Sequence, residues 1–262
     1  MKKVNLFFVI LFSVLAFAAC EKDPKPESPT EKAFQNQEFT VNGVTFKMIA
    51  VKHGTFIKGE KTSEQTNTPV QLTDDYYLGE TEVSQALWVA VMGKNPSHFQ
   101  DNLQNPVESI SWYECQRFLE KLNQLTGKDF RFPTEAEWEY AARGGQLNEP
   151  YTYSGSNDIG TVAWYKENSG EQTHPVAQLK SNGLGLFDMT GNVHEWCADT
   201  YKPGYYSGYT LINPLAQGDT TFHIVKGGNY KKTTEDLTVS TQFIEYSKAI
   251  ENGQGLRLAM SR

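Results

Sequence analysis

Three helical start signals punctuate this chain, and they confine it to a few short helices set among strands and loops. Ser84 precedes a short apolar stretch that ends near Met92-Gly93. Ser111 and Glu114 form a capping box, in which hydroxyl and carboxylate each satisfy an orphaned backbone N–H. Behind it Trp112, Cys115, Phe118, Leu119, Leu122 and Leu125 recur at helical spacing, and Gly127 can end the helix. Thr134 and Glu137 make a second box after Pro133, closed by Gly144-Gly145. Glu135, Glu137 and Glu139 bring negative charge to that helix start, where the dipole favours it, and Arg143 suits its end. These roles need only a capped helix that packs. Residues 44–51 are β-rich, residues 54–57 read as a paired strand beyond a turn, and residues 76–79 as another. Beyond Gly145 the chain is mostly loops and short strands, pinned by large rings. The class is α+β, one domain over residues 39–262.

The first twenty residues bear on the compartment. Lys2 and Lys3 precede an apolar run over residues 4–19, broken only by Asn5 and Ser13. The run is short of the roughly 20 apolar residues a spanning helix needs and has the size of a signal-peptide core. It ends in Phe17-Ala18-Ala19-Cys20, which resembles the lipobox of bacterial lipoproteins. A plain secretory signal with an incidental Cys20 is the alternative. Residues 1–19 are thus read as a signal peptide, Cys20 as the lipidation site, and residues 20–38, charged and poor in apolar side chains, as a flexible tether. Acyl chains on Cys20 would hold the protein to a membrane, each buried methylene adding about 0.8 kcal/mol. The expected location is the bacterial cell envelope, with the outer membrane favoured and either its periplasmic or its surface face open. Cleavage would take the net charge from −7 to −9, because Lys2 and Lys3 leave with no acid. So acidic a surface, without a basic cluster, argues against nucleic acid as a partner.

Several segments read together as one family. They are Glu80-Thr81-Glu82-Val83-Ser84-Gln85 with Trp88, Pro106-Val107 with Ser111-Trp112, and the run from Arg131-Phe132-Pro133-Thr134 to Arg143-Gly144-Gly145. There follow Asn182-Gly183-Leu184-Gly185-Leu186-Phe187-Asp188-Met189-Thr190-Gly191-Asn192-Val193-His194-Glu195-Trp196, Lys226-Gly227-Gly228-Asn229 and Gly255-Leu256-Arg257. In this order they resemble the formylglycine-generating enzyme (sulfatase-modifying factor) domain over residues 44–260. The resemblance implies a variant of the C-type-lectin-like fold with much irregular structure. It also implies a structural calcium site, whose ligands here would be the side chains of Asp188 and Glu195 and the carbonyls of Gly191 and Val193. Such mixed oxygen shells suit calcium. Alternatively, the two acids only bond the loop backbone.

The family enzyme oxidises a substrate cysteine using a C-terminal cysteine pair that binds copper(I), an ion that prefers thiolates. Between Gly228 and Gly255 this chain has neither cysteine nor histidine, so copper is not expected and no catalytic residue is assigned. Thr238 and Gln242 stand where many relatives have arginines, and Lys226 replaces a common arginine. Cys115 on an apolar helix face reads as a buried thiol, and a Cys115–Cys197 disulfide stays open. The five histidines show no metal-ligand spacing. The expectation is a non-catalytic binding or scaffold lipoprotein whose partner is an envelope protein, peptide or glycan. The alternative is a formylglycine-generating oxidase, or a related enzyme, modifying a sulfatase or another exported protein. Tyrosines at 151, 153 and 201–209 would either form the binding surface or pack internally.

Overall fold

The structure is a computed structural model that describes residues 34–59 and 67–262, together with Met1. The signal-peptide and Cys20 readings, and most of the tether, lie outside these residues. Among the described residues, no helix is long and apolar enough to cross a membrane. The folded unit runs Phe34–Arg262. It begins a little before Phe39, because Phe34 packs on Tyr77 at 4.8 Å and the Asn36 carboxamide accepts the Ala50 N–H.

In chain order, β1 (Gln37–Val41) and β2 (Val44–Val51) form a hairpin, followed by β3 (Gly54–Lys58), β4 (Thr68–Leu72) and β5 (Tyr76–Gly79). Then come α1 (Gln85–Met92), α2 (Trp112–Thr126), β6 (Phe130–Arg131) and α3 (Glu135–Ala142). After long loops the chain forms β7 (His194–Thr200), β8 (Leu211–Ile212), β9 (Phe222–Lys226), β10 (Phe243–Tyr246), β11 (Gln254–Gly255) and β12 (Ala259–Ser261). They make three sheets, ordered β1-β2-β5-β12-β6, β10-β9-β7-β11 and β3-β4-β8. The α+β expectation holds.

The first sheet is buried on both faces. Successive strand residues point to opposite sides, so Met48, Tyr77 and Met260 join one core cluster while Ile49, Leu78 and Ala259 join the other. Helices α1 and α2 cover the first side, with Trp88 stacked on Phe118 at 4.7 Å. Helix α3 covers the second with Trp138 and Tyr140. Fully burying large apolar side chains of this kind contributes about 1.5–3 kcal/mol each.

All three helix starts stand where the sequence puts them. The Ser84 hydroxyl accepts from Leu87 N–H, and Ser111–Glu114 and Thr134–Glu137 are complete capping boxes. Glycines in left-handed conformation, Gly93 and Gly127, end the first two helices. One strand pairing departs from expectation. Residues 54–57 do not pair with residues 44–51, because both edges of β2 are taken, by β1 and β5. Strand β3 instead pairs with β4 in the small third sheet.

Candidate functional site

The segment after β9 turns at Gly227-Gly228, runs through a 3-10 turn at Thr234–Asp236 and returns as β10. Its inner side offers hydroxyls rather than thiols. Thr238 shares hydrogen bonds with Ser240 (2.9 Å) and Thr241 (2.8 Å). Cys115 and Cys197 are free and fully buried. They belong to different core clusters, and no disulfide joins them. Burial pushes both thiols well above the usual range, so neither supplies a thiolate.

Beneath this segment lies an ion network that the sequence reading missed. Besides feeling the helix dipole, Glu135 and Glu139 are both buried. The Lys58 ammonium sits 2.7 Å from Glu135 and 3.6 Å from Glu139, and fully buried Lys226 sits 3.3 Å from Glu139. The far side of Glu139 accepts from Gly59 N–H and from Arg143, four residues along the helix. Burial opposes ionisation of Glu139, but Lys226, Lys58 and Arg143 outweigh it and hold the carboxyl at about 2. Burial lowers the Lys226 pKa, with Glu139 opposing. Asp199 caps the cluster, accepting from Glu135 N–H and Ala216 N–H; burial, then the Glu135 charge, raises it to about 7. The missed signal was present: Glu135, Glu139 and Arg143 share one helix face, and Lys58 and Lys226 each end an apolar strand run.

A second buried cluster gathers the residues assigned to calcium. No hydrogen bond joins Asp188 to Glu195; each acid has its own partners. Asp188 accepts the Ala177 N–H at 2.7 Å, and its other oxygen is buried without a hydrogen-bond partner. Burial raises its carboxyl to about 6. Gly191 holds a positive φ of 80° and packs on the Trp164 carbonyl, where any Cβ would collide. The Val193 N–H donates to Glu82 at 3.0 Å, and the Asn192 carboxamide bonds the same carboxylate at 2.7 Å. Glu195 lies in β7, an interior strand rather than an open loop. Its oxygens accept from Arg257 Nε (3.0 and 2.9 Å), Arg257 Nη2 (2.7 Å) and Trp138 Nε1 (2.5 Å). Three N–H groups, the Nε–H shared between both oxygens, take up most of a carboxylate's roughly four lone-pair sites, so an ion at Glu195 would have to displace Arg257 or Trp138. The donor set therefore does not fit a calcium ion shared by Asp188 and Glu195.

The family model for the sulfatase-modifying factor enzyme 1-like domain matches residues 33–262. The chain belongs to this family. It is 32% identical over 270 residues to the chaperone protein LppX of Paenibacillus barcinonensis, covering 84% of this chain and 91% of that one. It is 34% identical over 138 residues to the formylglycine-generating enzyme of Streptomyces coelicolor, covering 48% of this chain and 42% of the enzyme. Among solved structures, Treponema denticola variable protein 1 superposes with TM-score 0.80 at 29% identity, covering 87% of this chain and 99% of that one. PvdO from Pseudomonas aeruginosa shares the fold at TM-score 0.72 and 19% identity, over 82% of this chain and 94% of its own.

In this sulfatase-modifying-factor domain the tyrosine loops divide between packing and surface. Tyr153 packs with Ile159, Ala163 and Leu237. Tyr206 lies under the Lys58 ammonium, 4.2 Å from its ring centroid, and anchors the 201–209 loop on the ion network. Tyr209, 79% exposed, and Ile212 project outward from that loop and β8. Nearby, a groove of about 630 Å³ crosses the outer face of the third sheet, lined by Thr55, Ile57, Pro69, Gln71, Arg143 and Thr210 among others.

Proposed function

We propose that this chain is a non-catalytic member of its family: a binding or scaffold lipoprotein of the bacterial cell envelope, anchored through Cys20. One observation carries the reading. No cysteine lies between Gly228 and Gly255, and the two thiols of the folded unit are buried in separate core clusters, joined by no disulfide. A copper(I) site built on paired thiolates has no donors here. Fold membership does not supply chemistry where the side chains that perform it are missing. The binding face is the Tyr209–Ile212 region with the adjoining groove, where aromatic and aliphatic side chains stand over a polar rim. The relative named a chaperone supports a polypeptide partner, an exported protein or peptide, ahead of a glycan.

The test compares the full chain with Tyr209→Ser/Ile212→Ser in cross-linking and recovery from solubilised envelopes. Both positions are exposed, so the variant should keep the parent melting temperature within about 1–2 °C. A single stoichiometric partner recovered by the parent and lost in the variant supports the reading. Recovery unchanged in the variant removes this face from it. Conversion of a sulfatase-type peptide cysteine to an aldehyde, with copper(I) and oxygen supplied, would replace it with the oxidase alternative.

A further inference from the structure

Arg257 is fully buried, and its hydrogen bonds run to a carboxylate and two backbone carbonyls. Nη1 donates to the Gly79 carbonyl at 2.8 Å and Nη2 to the Phe187 carbonyl at 2.8 Å. Nε and Nη2 clasp Glu195. One carboxylate and two backbone carbonyls, drawn from β5, β7 and the loop before β7, thus converge on a single positive centre. That is the kind of shell a hard cation collects, with a guanidinium in the middle. We propose that Arg257 acts as a built-in cation in this domain, in place of a structural calcium ion at Glu195, so that the fold holds without bound metal.

Three features fix the guanidinium there. Its neighbours Leu256 and Leu258 are buried in the first core cluster, which pins the backbone on both sides. Gly79 lets the chain pass close, since a Cβ there would lie 3.4 Å from the Arg257 side chain and 3.0 Å from the Thr81 carbonyl. Trp138 donates to the outer oxygen of Glu195 and holds the carboxylate in place. Calcium would need oxygens at about 2.3–2.6 Å from its own centre, and Glu195 cannot turn toward one without releasing the fork. Glu82 and Asp188 lie beside the cluster, where burial pushes both carboxyls above the usual range, and Asp188 keeps one oxygen unpartnered. A guanidinium stays charged at any working pH and no chelator removes it. The inference rests on the bonds of Arg257 alone and stands or falls apart from the binding role.

The test uses the purified full chain and Arg257→Ala, each dialysed free of metal, with calcium content measured by elemental analysis and melting followed with calcium or EDTA. The parent should carry far less than one calcium per chain and melt at the same temperature in both. Arg257→Ala leaves carboxylates facing a cavity, should melt about 10 °C lower, and should regain part of that loss in millimolar calcium. If Arg257→Ala does not fold, Arg257→Lys is read in the same way, since one ammonium cannot serve the whole shell. Stoichiometric calcium in the parent, a drop in its melting temperature with EDTA, or a variant indifferent to calcium would overturn the proposal.

Discussion

Removing the charge of Glu139 tests how far the buried ion network holds the second core together. The carboxyl is fully buried, between Lys226 and Lys58 on one oxygen and Arg143 with Gly59 N–H on the other. Glu139→Gln keeps the shape and leaves the fully buried Lys226 facing a neutral amide. The carboxyl drops from an ordinary 4.5 to about 2 on folding, which corresponds to about 3 kcal/mol of stability near neutral pH. That agrees with the roughly 3–5 kcal/mol lost when one partner of a buried pair is removed. For a domain of this size the melting temperature should fall by about 6–12 °C. The pH dependence has a definite sign. A folded pKa below the unfolded one gives stability that is complete above about pH 4.5 and is lost as pH falls toward 2. The gap between parent and variant should therefore narrow to about half near pH 3. Melting by circular dichroism at both pH values decides the matter. A loss below about 1 kcal/mol at neutral pH, or a gap that does not narrow in acid, would refute the account. Glu139→Leu combined with Lys226→Met should recover part of the loss, because an apolar pair leaves no stranded charge.

Two further outcomes follow from burial. In a Cys20→Ser background, Cys115 and Cys197 should resist a thiol reagent in the native protein and both react on denaturation; native reactivity at either would contradict their burial. His194 is fully buried, and burial, with the Lys232 charge adding to it, lowers its pKa from 6.5 to about 3. It should contribute stability that is complete above about pH 6.5 and is lost as pH falls toward 3, about 2 kcal/mol being gone near pH 5. His194→Phe should therefore lose less melting temperature than the parent between pH 7 and pH 5, and an unchanged slope would count against the assignment.

The helices were legible because their signals are local. A capping box binds residues three apart, and a C-terminal glycine acts on its own turn. The family was legible from long motifs in order. The strands were harder, since β6, β8 and β11 have two residues each and carry no period. The wrong partner for residues 54–57 came from assuming that neighbours in sequence pair, whereas β1 had already taken the edge of β2. The acids of α3 were read for the dipole alone, and on an eight-residue helix the first turn and the buried face overlap. Nothing local distinguishes a carboxylate that feels the dipole from one that meets Lys58 from a distant strand. Glu195 was placed in an ion loop on the family resemblance, and its charged partner, Arg257, lies 62 residues away. Only the folded chain shows that the two meet.

The order of the first sheet sets when this protein can finish folding. The last strand, β12, lies between β5 and β6 and pairs with both, Ala259 facing Leu78 on one side and Arg131 on the other. Until residues 259–261 have left the ribosome, the sheet is split in two and its hydrophobic interior stands open. Removing residues 259–261 would leave the three strands β1, β2 and β5 with no strand to join them to β6.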